Sequence, residues 1–151
     1  MEPKTPIDVQ LKIEPEVHVL TSGLSMYPML YQHRDMVVIR RSSGKHKKGD
    51  VVLYPNKKGD QFILHRIVRV RKNDYVLRGD NNYFTEYGIT EKDIIGELKE
   101  FYRDGKYIDC ATNRKYKRYT FYICHSYWWR YAFKIIICPI LRKIKHFIIK
   151  K

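Results

Sequence analysis

The chain has 151 residues, enough for one domain with a sizeable core plus a tail and too few for several domains. Its formal charge of +14 would suit a nucleic-acid binder throughout, but residues 1–109 hold 19 Lys/Arg against 16 Asp/Glu, whereas residues 110–151 hold 11 Lys/Arg and no acid. Cys110, Cys124 and Cys138 are odd in number and not closely paired, which argues against a disulfide framework or a zinc site and fits a reducing compartment.

Strand-like runs are predicted at Glu16 to Leu20, Asp35 to Arg41, Asp50 to Tyr54, Gln61 to Arg71, Tyr75 to Arg78, Ile94 to Arg103 and Lys106 to Asp109. Turn signals separate them at Ser43-Gly44, Lys58-Gly59-Asp60, Asn73-Asp74 and Asp104-Gly105, the last a two-residue hairpin signal. Short strands at this spacing predict a mainly β, barrel-like domain over 1–109, with Leu53, Ile63, Ile67, Val76 and Ile95 in the core and Lys45 to Lys48 in a solvated loop. Residues 110–151 form a basic aromatic tail. The histidines are too scattered for metal-ligand spacing, so His18, His33, His46, His125 and His146 read as surface, core or tail residues, and no metal or cofactor is expected.

The stretch Thr21-Ser-Gly-Leu-Ser-Met-Tyr-Pro-Met-Leu30 places Ser25 in a turn-prone run directly after the extended apolar residues Val17 to Leu20. His65 follows inside Ile63-Leu-His-Arg-Ile-Val-Arg-Val70, and then come Gly79-Asp-Asn-Asn82 and Glu86. A hydroxyl, an imidazole and a carboxylate are the parts of a triad. Each alone is weak, because a serine before methionine is usually a turn serine. Their order is more specific: SGLSMYPML, GDVVLY at 49–54, LHRIV at 64–68 and RGDNN at 78–82 together resemble the signal-peptidase-like serine peptidases, the superfamily of type I signal peptidases and self-cleaving repressors. The resemblance covers residues 17 to about 103.

Within that superfamily the block around His65 looks like the histidine branch, found in archaea and in the endoplasmic-reticulum enzyme, where other members carry a lysine. Neutral imidazole is a base near pH 7 without the desolvation that lysine needs, but it requires a partner to fix its tautomer. The resemblance implies Ser25 as nucleophile, His65 as base and Glu86, six residues after Asp80, as the orienting acid. Asp80 is the competing candidate, with a turn-capping carboxylate as its structural role. Members usually carry a serine two residues before the nucleophile to hold the oxyanion. This chain has Gly23 there, leaving the Ser25 N–H and the Ser22 hydroxyl as candidate donors. The resemblance also implies a twisted-sheet fold and an endopeptidase of signal or leader peptides, with small residues before the cut bond and an extended substrate paired to a strand edge.

No apolar segment precedes Ser25, and Met1 to Gln10 carries charges and two prolines, so an anchor-less, cytoplasmic form is expected. In the tail, no charge-free span of about 20 residues exists. Arg130, Lys134, Arg142 and Lys145 fall on one helical arc, and Trp129, Phe133, Ile136, Ile137, Ile140, Ile144 and Ile148 on the other, with Pro139 expected to kink or restart the helix. Such a helix suits the surface of an anionic membrane, or else packs on the sheet. Two rival functions are a membrane-surface adaptor that has lost catalysis, motivated by Gly23 and Glu86, and a nucleic-acid-binding module, motivated by the tail charge. No helix-turn-helix or aromatic RNA-binding pattern accompanies that charge, so nucleic acid is not expected as a partner.

Overall fold

Runs rich in valine, isoleucine and tyrosine favour a pleated, half-buried surface. In the computed structural model, which describes residues 7–42 and 44–139, they form β1 (Glu16–Leu20), β2 (Met36–Arg41), β3 (Val51–Pro55), β4 (Phe62–Val70), β5 (Tyr75–Arg78), β6 (Glu86–Ile89), β7 (Gly96–Arg103) and β8 (Lys106–Asp109). They make one antiparallel sheet in the order β1-β2-β7-β3-β4-β5-β6, with β8 added to β7. The seven predicted strands are all present. β6 is additional: the run Glu-Tyr-Gly-Ile has no alternation to announce it, and it forms by pairing with β5.

The sheet curls without closing. Register shifts between Val38 and Ile39, Ile67 and Arg69, and Tyr75 and Leu77 bend its strands as bulges do. The second edge of β7 is shared, by β3 at its start and β8 at its end. The result is a half-barrel whose terminal strands are β1 and β6. The β7–β8 hairpin turns at Asp104 and Gly105, both at positive φ (50° and 72°), as a two-residue turn matched to strand twist requires.

β3 is buried on both faces. Val51 and Leu53 join Leu11, Val17, Met26, Met29, Leu30, Val37, Ile39, Leu98 and Phe101 in one cluster. Val52 and Tyr54 join Ile67, Tyr75, Leu77 and Ile94 in another. Of the predicted core residues, Leu53, Ile67 and Val76 are fully buried, while Ile63 and Ile95 pack at the margins. The lysines at 45, 47 and 48 are exposed, but His46 between them is buried against Tyr75 and Ser42.

Helix α1 (Ile7–Ile13) was not expected. Seven residues are too few to hold a helix alone, and this one is held by burial of Leu11 and by Arg41 Nε donating to the Leu11 carbonyl at 2.5 Å. Helix α2 (Arg114–His125) is capped by the Asn113 side chain, which accepts from Tyr116 N at 2.9 Å. Tyr116 and Tyr119 pack on the first cluster and Ile123 is buried, so this part of the predicted tail belongs to the domain. Helix α3 (Tyr127–Tyr131) continues as a π-helical turn, Ala132–Ile137, and Pro139 remains helical. Ile140, Arg142, Ile144, Lys145, His146, Ile148 and Ser43 lie outside the described residues. Among the described residues no helix is long and apolar enough to cross a membrane.

Gly96 sits where β2 and β7 meet. A Cβ there would lie 2.6 Å from Ile39 Cγ2 and 2.9 Å from the Arg40 carbonyl. Gly96→Ala is expected to lower stability by about 1–3 kcal/mol, read as a lower urea midpoint. An unchanged midpoint would mean that the two strands can part there at no cost.

Candidate active site

Ser25 lies in the turn between β1 and β2, and that turn is stapled at its ends. Thr21 Oγ1 donates to the Tyr31 and Asp35 carbonyls at 2.8 and 2.9 Å. The buried Asp35 carboxylate accepts from Tyr31 N, from Arg34 Nε at 2.8 Å and from Arg103, which also bonds the Met29 carbonyl. Burial would raise the Asp35 carboxyl, yet Arg103 and Arg34 hold it below the usual range. Met26, Met29 and Leu30 sink into the core beneath the half-buried Ser25. Gly23 stands at φ 81°, a backbone region that favours glycine, with open space around it.

The loop Gly79–Asn82 grips this turn. Asn81 N donates to the Ser25 carbonyl at 2.8 Å, and Asn81 Nδ2 reaches the Leu24 carbonyl at 3.2 Å. Gly79 admits no side chain: a Cβ would fall 2.6 Å from the Ser25 carbonyl, 2.9 Å from Asn82 Nδ2 and 3.0 Å from His65 Nε2. Gly79 therefore lies between the Ser25 main chain and the outer ring nitrogen of His65. The Ser25 hydroxyl is not hydrogen-bonded to His65 among the described residues, and catalytic hydrogen bonds are often long before substrate binds.

His65 stands on β4 opposite Val52, which makes Tyr54 its diagonal neighbour on β3. Its Nδ1 lies 2.9 Å from Glu86 Oε1 and 3.0 Å from the Tyr54 hydroxyl. An ionised carboxylate only accepts, so a proton on Nδ1 serves the contact with Glu86 and would leave Nε2, beside Gly79, as the nitrogen with the lone pair. Burial pushes the His65 imidazole below its ordinary value, against the upward pull of Glu86 and Asp80. It is thus a neutral base at pH 7. Burial, and then the charge of Glu86, pushes the Tyr54 phenol far up, so it stays protonated and also bonds Glu86. Tyr54 was read from the sequence only as a strand residue. Its place two positions from the cross-strand partner of His65 was the available signal.

The two carboxylate candidates separate. Asp80 is fully buried and takes a bidentate pair from Arg66, Nε to Oδ1 and a terminal nitrogen to Oδ2, both at 2.8 Å. Burial alone would lower the Arg66 pKa, but Asp80 holds it above its ordinary value. Arg66 also donates to the Gly49 carbonyl at 2.8 Å and to Thr120 Oγ1 at 3.1 Å. Asp80 therefore joins β4, the loop and α2, while Glu86 meets the imidazole.

A groove of about 330 Å³ runs beside Ser25, lined by Ser22, Gly23, Leu20, Met26, Phe62 and Leu64 among others. Its rims are β1 and the first half of β4, which among the described residues pair only with β2 and β3 respectively.

Among the described residues, His46, Asp50 and Glu97 offer metal-type ligand atoms within 4.8 Å of one another, a grouping that histidine spacing did not reveal. Lys99 Nζ already pairs with Glu97 at 2.6 Å, and Lys45, Lys47, Lys48 and Lys117 line the same cavity of about 720 Å³, a field that opposes a dication.

Asp80→Asn and Glu86→Gln should behave differently. The first leaves Arg66 buried without its partner and is expected to cost about 3–5 kcal/mol in a denaturant melt. The second leaves the core untouched. Burial holds the His65 imidazole below its ordinary value, so proton NMR is expected to find its ring titrating low, and Glu86→Gln, by removing a group that raises this pKa, is expected to move it lower still. An upward move would place the carboxylate's influence elsewhere.

No family model, no curated protein and no solved structure matches this chain.

Proposed function

We propose that the protein is a serine endopeptidase that cleaves signal or leader peptides in extended conformation. The observation that carries this reading is the imidazole of His65, with Nδ1 2.9 Å from Glu86 and Nε2 beside Gly79, the residue that lies against the Ser25 main chain at the edge of the groove.

Ser25 Oγ attacks the scissile carbonyl while His65 Nε2 takes its proton, and Glu86 stabilises the imidazolium through Nδ1–H. The Ser25 N–H and the Ser22 hydroxyl are the donors available to the oxyanion, since Gly23 supplies no side chain. The imidazolium then gives its proton to the leaving amine, and a water, deprotonated by the same nitrogen, releases the acyl group. The free edge of β1 offers main-chain groups to an added peptide strand, and the apolar groove wall suits alternate small side chains. The fit to the signal-peptidase pattern rests on the four sequence blocks and on the loop Gly79–Asn82 holding the Ser25 turn.

A second reading, a catalytically inactive adaptor, is favoured by two observations: Gly23 stands where a serine would assist the oxyanion, and Ser25 lacks a bond to His65 among the described residues.

The deciding experiment incubates a diverse peptide library with the wild type, Ser25→Ala and His65→Ala and maps new termini by mass spectrometry. Cleavage that falls by about 10⁴-fold in both variants is expected, because the members of a triad act as a unit. Most of the activity surviving in either variant would sink the mechanism, and no cleavage by the wild type would favour the adaptor.

A further inference from the structure

Helix α3 turns its polar contacts inward and its apolar residues outward. The Tyr127 ring covers the Arg78 guanidinium at 4.0 Å, and its hydroxyl donates to the Tyr83 carbonyl at 3.1 Å. Arg130 bonds the Asp80 carbonyl, and Tyr131 packs on Tyr83 with ring centroids 6.0 Å apart. These contacts fix the rotation of the helix about its axis.

On the outer side, Trp128 and Trp129 are 75% and 82% exposed, followed by the exposed Phe133, Ile136 and Ile137. Phe84, next to the clamped Tyr83, is 88% exposed. Water-facing residues of this size on one helix are an unpartnered face rather than scattered surface hydrophobics. The sheet does not cover them, so the alternative in which this face packs on the domain does not hold for the described residues.

We propose that this face docks on an anionic lipid surface, with Trp128, Trp129, Phe133 and Ile136 entering the headgroup boundary. Three features select a bilayer over another occupant. Tryptophan beside aliphatic residues suits a boundary that is wet on one side and apolar on the other. Residues 110–151 carry 11 Lys/Arg and no acid, a charge that attracts anionic headgroups at about 1 kcal/mol per residue near the surface. A second copy would instead bring two such tails together and repel itself. The helix is clamped to residues 78–83, between the Arg66–Asp80 pair and Glu86, so docking sets the Ser25 groove at a fixed attitude to the membrane. Lipid binding needs neither Ser25 nor His65 and stands apart from the peptidase reading.

Trp128 and Trp129 are the chain's two tryptophans, so tryptophan fluorescence, excited selectively over tyrosine, reports on this face alone. The full chain is titrated with phosphatidylcholine vesicles with and without phosphatidylglycerol, in parallel with co-sedimentation. A blue shift with the anionic vesicles, reversed by salt and quenched by brominated lipid, is expected. Ser25→Ala should bind as the wild type does. Phe133→Glu keeps both reporters and should weaken binding by roughly tenfold or more. Emission unmoved by anionic vesicles, a blue shift that grows with protein concentration without lipid, or a response to oligonucleotide but not to vesicles would each overturn the proposal.

Discussion

The bidentate pair between Arg66 and Asp80 is the constraint on which the candidate site depends. Two charges removed from water gain little net stability as a pair, but each makes the loss of the other costly. A planar guanidinium also fixes direction as well as distance. Its remaining donors reach the Gly49 carbonyl and Thr120 on α2, so the turn before β3, the strand β4, the loop after β5 and the first C-terminal helix share one cation. None of these elements can shift without unpairing a buried charge.

That anchoring explains the division of labour in the loop from Gly79 to Glu86. With Asp80 held from below, Gly79 is pressed between the Ser25 carbonyl and His65, and Asn81 is presented to the Ser25 turn. Six residues after Asp80 the chain enters β6, and its first residue, half-exposed Glu86, closes on the imidazole. One carboxylate thus serves the interior and the other serves the ring. Tyr54 adds a neutral donor that stays protonated because its phenol is buried beside that carboxylate.

The open form of the sheet matters for the same reason. A closed barrel would satisfy every strand edge, whereas here, among the described residues, β1 and the first half of β4 each have one edge without a partner strand beside the groove. At the other side of the loop, α3 covers Arg78 and Tyr83 and leaves a row of tryptophan, phenylalanine and isoleucine in water. Both features are open surfaces next to the buried network around Arg66.

Local chemistry determined much of this architecture. Alternation of β-branched residues fixed seven strands, and Asp104-Gly105 fixed the β7–β8 turn through its positive φ angles. The order of the motif blocks singled out the loop Gly79–Asn82, which lies against the Ser25 main chain and the His65 ring. Tertiary structure decided the rest, because it depends on partners distant in sequence. α1 is too short to form without the groove that receives Leu11, and β6 exists only through β5. The choice between Asp80 and Glu86 turned on which of them Arg66 engages, and nothing in the run GDNNYFTE encodes that. The tail had an amphipathic pattern in sequence, but the direction its apolar side faces was set by where Tyr127 and Arg130 find acceptors on the domain. Periodicity is a property of neighbouring residues, whereas the pairing of a buried charge is a property of the folded interior.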